Sequence, residues 1–519
     1  MPGARAASSV TAATLVRKSS YQDSVALLAM ARALRGAPGV REAAALMGTP
    51  ANHDLMRQAG LLTAEAGTAG PNDLVIVVQA DSDTLAHSAL ARAEELLTAR
   101  QRRLESAGRI YPRTLDSARR RLPGANLALI SVPGVWAPAE ARKALRMGLH
   151  VMLWSDNVSL EDELALKRLA RERGLLLMGP DCGTAYLNGV PLGFANVVPR
   201  GRIGLVAASG TGLQQVACLL AAGGEGISQA IGVGGRDMSD AVGGLMTLEA
   251  LDALGADPAT ELVVVIGKPS APEVRRKVED TLGTLGKPAV VAMLGRDVRP
   301  ARDGKIQVVA TLEDAARAAL AVVHGERWTP RAFSGDSAAT AKRIALARAT
   351  LGRGQRAVHG LFTGGTLAYE AVLLLESLLG PVSGNLRPGV DGVHRVIDLG
   401  SDEFTVGRAH PMLDPAARIE ALLRSAEHPD LAVLLLDVVL GHGAAPDPAG
   451  DLVPAIEAAH AHARAHGRAV HVVATVVGTA GDPQGLAAQT AKLEATGVWV
   501  LPSNAQAARA AAAIAGAEP

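Results

Sequence analysis

Apolar positions along this chain switch repeatedly between two periods. Runs of about four to eight apolar residues, the length of a buried strand, alternate with stretches whose apolar residues fall at i, i+3, i+4 and i+7, the period of a helix with one buried face. In the first part of the chain this predicts strands at 11–16, 40–47 and 73–79 and helices at 21–35, 52–59 and 84–97. Strands and helices interleaved over so short a span (1–98) predict a small ferredoxin-like or ACT-like α+β domain. Between 125 and 200 the pattern predicts strands at 125–132, 150–154 and 175–178 and helices at 137–147 and 160–173. That alternation predicts a parallel, Rossmann-like sheet with its ligands at the carboxyl ends of the strands.

The pattern then repeats itself. Ile203, Leu205 and Val206 end in Ser209-Gly210-Thr211-Gly212, and Leu213, Val216, Ala217 and Leu220 follow at helical spacing. Further on, Val358 to Phe362 ends in Thr363-Gly364-Gly365-Thr366, followed by Leu367, Ala371, Leu374 and Leu375. Downstream, Ile231 to Asp237 answers Ile397 to Glu403, and residues 261–268 answer 431–440. Two α/β units are predicted, at 201–323 and 345–519, joined by a linker at 324–344. Each opens on a strand, a glycine turn and a helix. Such a turn alone is common in βα connections. Its glycines also let backbone N–H groups approach an anion at a helix N-terminus.

Between the first domain and the Rossmann-like segment, residues 99–124 are rich in arginine, with Arg100, Arg102, Arg103, Arg109, Arg113, Arg119, Arg120 and Arg121. They read as a solvated linker, or as a basic arm that meets an anion.

Composition narrows the function classes. Hydrophobic residues make up 48% of the 519 and charged residues 20%, a globular profile. Lys and Arg (52) against Asp and Glu (51) leave a formal charge of +1, so there is no basic excess for nucleic acid or an acidic membrane surface. Aromatics at 2% argue against stacking platforms for single strands. Two cysteines, Cys182 and Cys218, make neither a disulfide framework nor a cysteine-based zinc site, and no metal site is expected. No apolar run reaches membrane-spanning length, and the first twenty residues lack a signal-peptide core. A cytoplasmic protein is expected.

Four other positions stand out for chemistry. His442, in the loop after the strand that ends near Leu440, is a candidate acid–base group or replacement phosphoacceptor, and Asp437 a candidate to orient His442 or a substrate N–H, or a cap for backbone amides. Lys268 occupies the matching loop of the first unit and is a candidate phosphate partner. Cys182 is a candidate nucleophile or a buried thiol.

Several of these stretches resemble a known family. Ser131-Val132-Pro133, Met178 to Gly183, Gly204 to Thr211 and Gly232 to Asp237 resemble the alpha subunit of succinyl-CoA synthetase and related acyl-CoA ligases. The arrangement is similar to the FdrA proteins, a match that Met47 to Asn52, Asp402 to Arg408 and His410-Pro411-Met412 support. The resemblance implies a Rossmann-like CoA-binding-type domain followed by two flavodoxin-like ligase domains. It implies that Ser209, Gly210, Thr211, Gly212, Thr363, Gly364, Gly365 and Thr366 cradle one phosphate between two helix N-termini. It also implies a substrate loop at Asp181, Cys182, Gly234 and Gly235. The family's phosphohistidine loop is not matched: Met293 to Lys305 holds no histidine. Nor is there a glycine-rich turn before Ala125. CoA is the one cofactor the resemblance offers. The function it implies is a carbamoyl- or acyl-phosphate-handling subunit of oxamate carbamoyltransferase type, working with other subunits on a small-molecule substrate. An acyl-CoA synthetase with a partner's nucleotide site, or a non-catalytic metabolite sensor, are the alternatives.

Overall fold

The computed structural model describes residues 11–517 except 21, 23, 107–111, 296–300 and 406–408. Tyr21, Arg109, the start of the chain, and parts of the 293–305 and 402–408 stretches therefore lie outside the described residues. The described residues divide into two compact units, one up to Ala118 and one from Arg119 onward.

The first unit is a three-stranded antiparallel sheet. Its central strand Leu74–Ala80 lies between Thr11–Arg17 and Val40–Met47. Leu74, Ile76 and Val78 face the helices Ser24–Arg35 and Asp83–Ser106, while Val75 and Val77 face Met56 and Leu61. Both faces of the central strand are covered, which explains its unbroken apolar run. This is the expected small α+β domain. The helix expected to stop at Leu97 continues to Ser106, and Leu115–Arg121 forms another. Much of the arginine-rich stretch is thus helical. Arg, Leu, Gln and Glu are good helix formers, and their propensity outweighs the lack of an apolar face.

The second unit starts with the short parallel sheet Leu127–Ile130, His150–Leu153 and Leu177–Met178. The next sheet is centred on Arg200–Ala207, with Ile227–Gly232 on one side and Leu262–Gly267, Ala289–Met293 and Ile306–Val308 on the other. This is flavodoxin-like order. A hairpin, Thr184–Leu187 and Val190–Gly193, joins its edge. Its turn, Asn188-Gly189, has positive φ at both residues, the two-residue turn that an Asn-Gly pair between apolar residues signals.

The last sheet repeats that order around Ala357–Phe362, with His394–Asp398 on one side and Leu431–Val439, His471–Val477 and Trp499–Leu501 on the other. The helix Ser337–Ala349 occupies part of the expected linker. One continuous core joins the two flavodoxin-like halves, running from Leu205 and Val216 through Leu367 and Leu375 to Ala511. Polar bonds lock the same seam: Leu312 N–H and Asn504 Nδ2 both donate to Glu370 at 2.7 Å, and Ser503 Oγ to Glu313 at 2.8 Å. Burial pushes the Glu370 carboxyl up to about 7. Among the described residues no helix is long and apolar enough to cross a membrane.

Candidate functional site

The helices Gly210–Ala222 and Gly365–Leu379 follow directly from the first strand of each half, and their N-termini meet. Ser209 Oγ donates to Thr366 Oγ1 at 2.6 Å and accepts from Gly212 N–H at 2.9 Å. A Cβ on Gly212 would lie 3.2 Å from Thr366 Cγ2, and one on Gly364 would lie 2.8 Å from Thr211 Oγ1. Only glycine permits this approach. First-turn N–H groups have no intrahelical acceptor, and each helix end carries about half a positive charge. The junction therefore gathers N–H donors from two helices, with Gly210, Thr211 and Gly365 partly open to solvent.

Asp437 braces the second turn. Its buried carboxylate accepts from Thr363 N–H (2.9 Å), Thr363 Oγ1 (3.0 Å), Gly364 N–H (2.9 Å) and Arg418 Nη2 (3.0 Å). Desolvation weakens the buried Arg418 charge, and Asp437 opposes that. These donors occupy the carboxylate, so Asp437 does not orient His442. His442 is exposed, and its backbone N–H and C=O pair with Ala195. The two therefore do not form the acid–base pair expected from their spacing; Asp437 takes the backbone-capping role, and the imidazole stands in solvent.

Lys268, from the matching loop of the first half, reaches the junction. A Cβ on Gly365 would lie 3.6 Å from Lys268 Nζ and 2.5 Å from Asp398 Oδ2. Asp398 ends the strand His394–Asp398 and is a site residue that sequence reasoning misses. Burial, partly offset by the Lys268 charge, pushes its carboxyl from 3.8 up to about 6. Asn385 fixes its backbone at both ends, accepting from Asp398 N–H at 3.0 Å and donating to its C=O at 2.9 Å. His410 stands at the same corner: a Cβ on Gly400 would meet His410 Nε2 at 2.7 Å and Asp398 Oδ1 at 3.3 Å. Met412 N–H donates to His410 Nδ1 at 3.2 Å, which leaves the proton of the neutral ring on Nε2. Burial holds this imidazole at about 4. The repeat carries the signal for Asp398, since it stands where the first half has Gly232.

The second expected loop packs beside the junction without presenting its thiol. Cys182 Sγ is buried against the Thr184 and Gly232 carbonyls at 3.5 and 3.4 Å, and burial pushes it up to about 12. It is no nucleophile. Gly234 is buried, and a Cβ there would strike the Pro180 carbonyl at 2.5 Å. Asp181 and Gly235 are exposed. Thr184 links this loop to the junction, since a Cβ on Gly210 would lie 3.2 Å from Thr184 Oγ1. The rings of Trp154 and Phe194 (4.8 Å) and of Phe194 and His410 (5.8 Å) line up alongside.

The family model described as CoA-ligase matches residues 361–514, a stretch that starts at the second glycine turn. The chain is 40% identical over 501 residues to the uncharacterized protein YahF of Escherichia coli (strain K12), spanning 94% of this chain and 96% of that one. It belongs to the YahF family. It is also 28% identical over 186 residues to a succinate–CoA ligase [ADP-forming] subunit alpha-2 of Trichomonas vaginalis, covering 34% of this chain and 59% of that protein. With the ADP-forming sulfoacetate-CoA ligase subunit SauD of Bilophila wadsworthia it shares 30% over 182 residues, 33% of this chain and 60% of that one. The scaffold is therefore of acyl-CoA-synthetase type. A model described as AllF, heavy metal-associated domain, matches residues 10–110. That segment holds no cysteine, and among the described residues no three His, Cys, Asp or Glu side chains gather to hold a metal ion. Its donors do not fit a heavy-metal site.

Proposed function

We propose that the chain is the phosphate-holding subunit of a carbamoyl or acyl transferase, of the type that converts oxalurate and phosphate into oxamate and carbamoyl phosphate. The observation that carries this reading is the meeting of two helix N-termini through Ser209 and Thr366, with Lys268 and Asp398 at the same corner. In that reaction a phosphate oxygen attacks the ureido carbonyl carbon. The C–N bond to the oxamate nitrogen breaks, and the proton of hydrogen phosphate ends on that nitrogen. The chemistry needs an anion held in place, a charge beside it and a group that moves one proton. N–H groups of Gly210, Thr211, Gly365 and Thr366 hold the anion, Lys268 neutralises it, and Asp398, pushed up to about 6, takes the proton and returns it. All of these groups lie outside residues 10–110, the segment that matches the AllF model.

The test is phosphate release from carbamoyl phosphate with oxamate as acceptor, using the chain in the complex it forms with its partner subunits. Release that requires this chain, with oxalurate formed in equal amount, is the expected result. No turnover by the full complex would overturn the reading. The CoA-ligase match favours one alternative, an acyl-CoA ligase whose nucleotide site lies on a partner. That reading requires CoA-dependent ATP or GTP hydrolysis, and calorimetry showing no CoA binding would remove it.

A further inference from the structure

The second flavodoxin-like half contains a polar cleft of about 470 Å³ that the phosphate reading leaves unused. It lies over the start of the sheet, against His359, Arg395, His428 and Asp430, with Ser383 and Asn385 at its side. His359 and Arg395 are direct partners across neighbouring strands, so they share one sheet face. The His359 ring is only 5% exposed, and its Nδ1 has no hydrogen-bond partner among the described residues. Arg395 and Asp430 line the same cleft, and among the described residues neither makes an ion pair, with each other or elsewhere. Charges of both signs thus face one space and stay uncommitted.

The first half fills the corresponding place. The position matching His359 in the first half is Gly204, where the space is filled: a Cβ there would strike Thr260 Cγ2 at 2.8 Å and Leu254 at 3.0 Å. The neighbouring sheet edge is covered in the first half by the Thr184–Leu187 strand, but in the second only by the two-residue strand Val382–Ser383. Beyond that strand, Gly384 lies so close to the sheet that a Cβ there would strike the Val396 carbonyl. This approach fixes the loop that walls the cleft.

We propose that this cleft binds a small amino or amido carboxylate. Its carboxylate pairs with Arg395 beside His428, its N–H group donates to Asp430, and His359 forms part of the cleft wall. A guanidinium reads a carboxylate through two parallel bonds, and a carboxylate accepts N–H but repels a second acid. The cleft has more than enough room for a metabolite of that size. The site is separate from the phosphate junction, yet Asn385 lines the cleft and also clamps the Asp398 backbone.

Calorimetry on the full chain with glycine, oxamate and oxalate tests this, alongside Arg395→Gln, Asp430→Asn and the junction variant Gly365→Val. Glycine should saturate one site in the wild type, and glycine or oxamate should saturate that same site in Gly365→Val, where the junction is closed. Binding should weaken about tenfold or more in Arg395→Gln and in Asp430→Asn. Oxalate, which has no N–H, should bind about tenfold or more weaker. Arg395 is exposed and unpaired among the described residues, so an unchanged thermal melt is expected for its variant. The proposal is overturned if neither glycine nor oxamate saturates the wild type, or if Arg395→Gln binds as the wild type does. Binding lost only in Gly365→Val would overturn it too and place the ligand at the junction. Oxalate binding as tightly as oxamate would remove the role of Asp430.

Discussion

The two flavodoxin-like halves share strand order and a glycine turn, but they prepare that turn by opposite means. In the first half a side chain on the turn does the work: Ser209 caps its own helix and reaches Thr366. In the second half the cap position is Gly364, which has no side chain, and Asp437 holds the turn from the next strand. Ile266 stands at the position of Asp437 in the first half, and Gly232 at that of Asp398. The first half thus contributes a self-sufficient helix end and Lys268. The second contributes an open end with two buried carboxylates behind it. The two halves share the geometry of the turn, and each adds its own charged groups: Lys268 from the first, Asp398 and Asp437 from the second.

The largest expected difference between the halves is in proton transfer. General acid–base groups contribute about 10²–10⁴ in rate, so Asp398→Asn should lower turnover of the complex by that order. It should also remove an inflection near pH 6 from the pH–rate profile. The wild-type rate should rise as pH increases through that value, because the carboxylate form takes the proton. Stability moves the other way. A carboxyl at about 6 when folded and 3.8 when unfolded binds its proton more tightly in the native state. Its stabilising effect is complete below the unfolded value and fades as pH rises through 6. An Asp398→Asn variant with an unchanged pH profile would remove Asp398 from the chemistry.

Next in size is the brace. Asp437→Ala leaves Arg418, 3% exposed, without its carboxylate and strips three donors of their acceptor. Breaking a buried pair in this way costs about 3–5 kcal/mol. Chemical denaturation should show that loss, while His442→Ala, an exposed side chain, should melt as the wild type does. Equal losses from the two variants would contradict their separate roles.

Steric closure of the junction should also be unequal. A Cβ at Gly365 lies 2.5 Å from Asp398 Oδ2, which the Asn385 clamp keeps from retreating, whereas one at Gly210 lies 3.2 Å from the Thr184 hydroxyl. Losing a donor of an oxyanion site costs about 10²–10³ in rate. Gly365→Val should lose at least that much, and Gly210→Val less, in assays of phosphate-dependent turnover. A fully active, folded Gly365→Val protein would reduce the second half to scaffold.

Much of this architecture is legible in the sequence because periodicity and glycine placement are local. The two strand–turn–helix units, their repeat and the small first domain follow from apolar spacing alone. The meeting of Ser209 with Thr366 is a contact between residues 157 apart, and only the family resemblance implies it. The Asn188-Gly189 hairpin has a local signal that the strand-and-helix alternation masks. Asp398 and His410 are harder to see, because their character comes from burial beside Gly365 and Gly400, and burial is set by distant strands. His442 misleads for the converse reason: a histidine between two glycines looks chemical, but here the backbone at that place does the work, pairing with Ala195.

The smallest effect bears most directly on how the halves differ. Ser209→Ala removes the side-chain cap of the first helix, together with the bond to Thr366 Oγ1, but leaves the backbone N–H groups in place. Loss of a serine cap typically costs about 1 kcal/mol, and a glycine at the cap position recovers most of that. Ser209→Ala should therefore lower stability by about that amount, and Ser209→Gly by only a few tenths, measured by denaturant midpoint. Turnover should fall far less than in Gly365→Val, since Gly212 N–H is freed rather than blocked. If the serine hydroxyl itself bound the phosphate, the order would invert. Ser209→Gly would then lose activity as severely as Ser209→Ala despite its stability, and Ser209→Thr, which keeps the hydroxyl, would restore both.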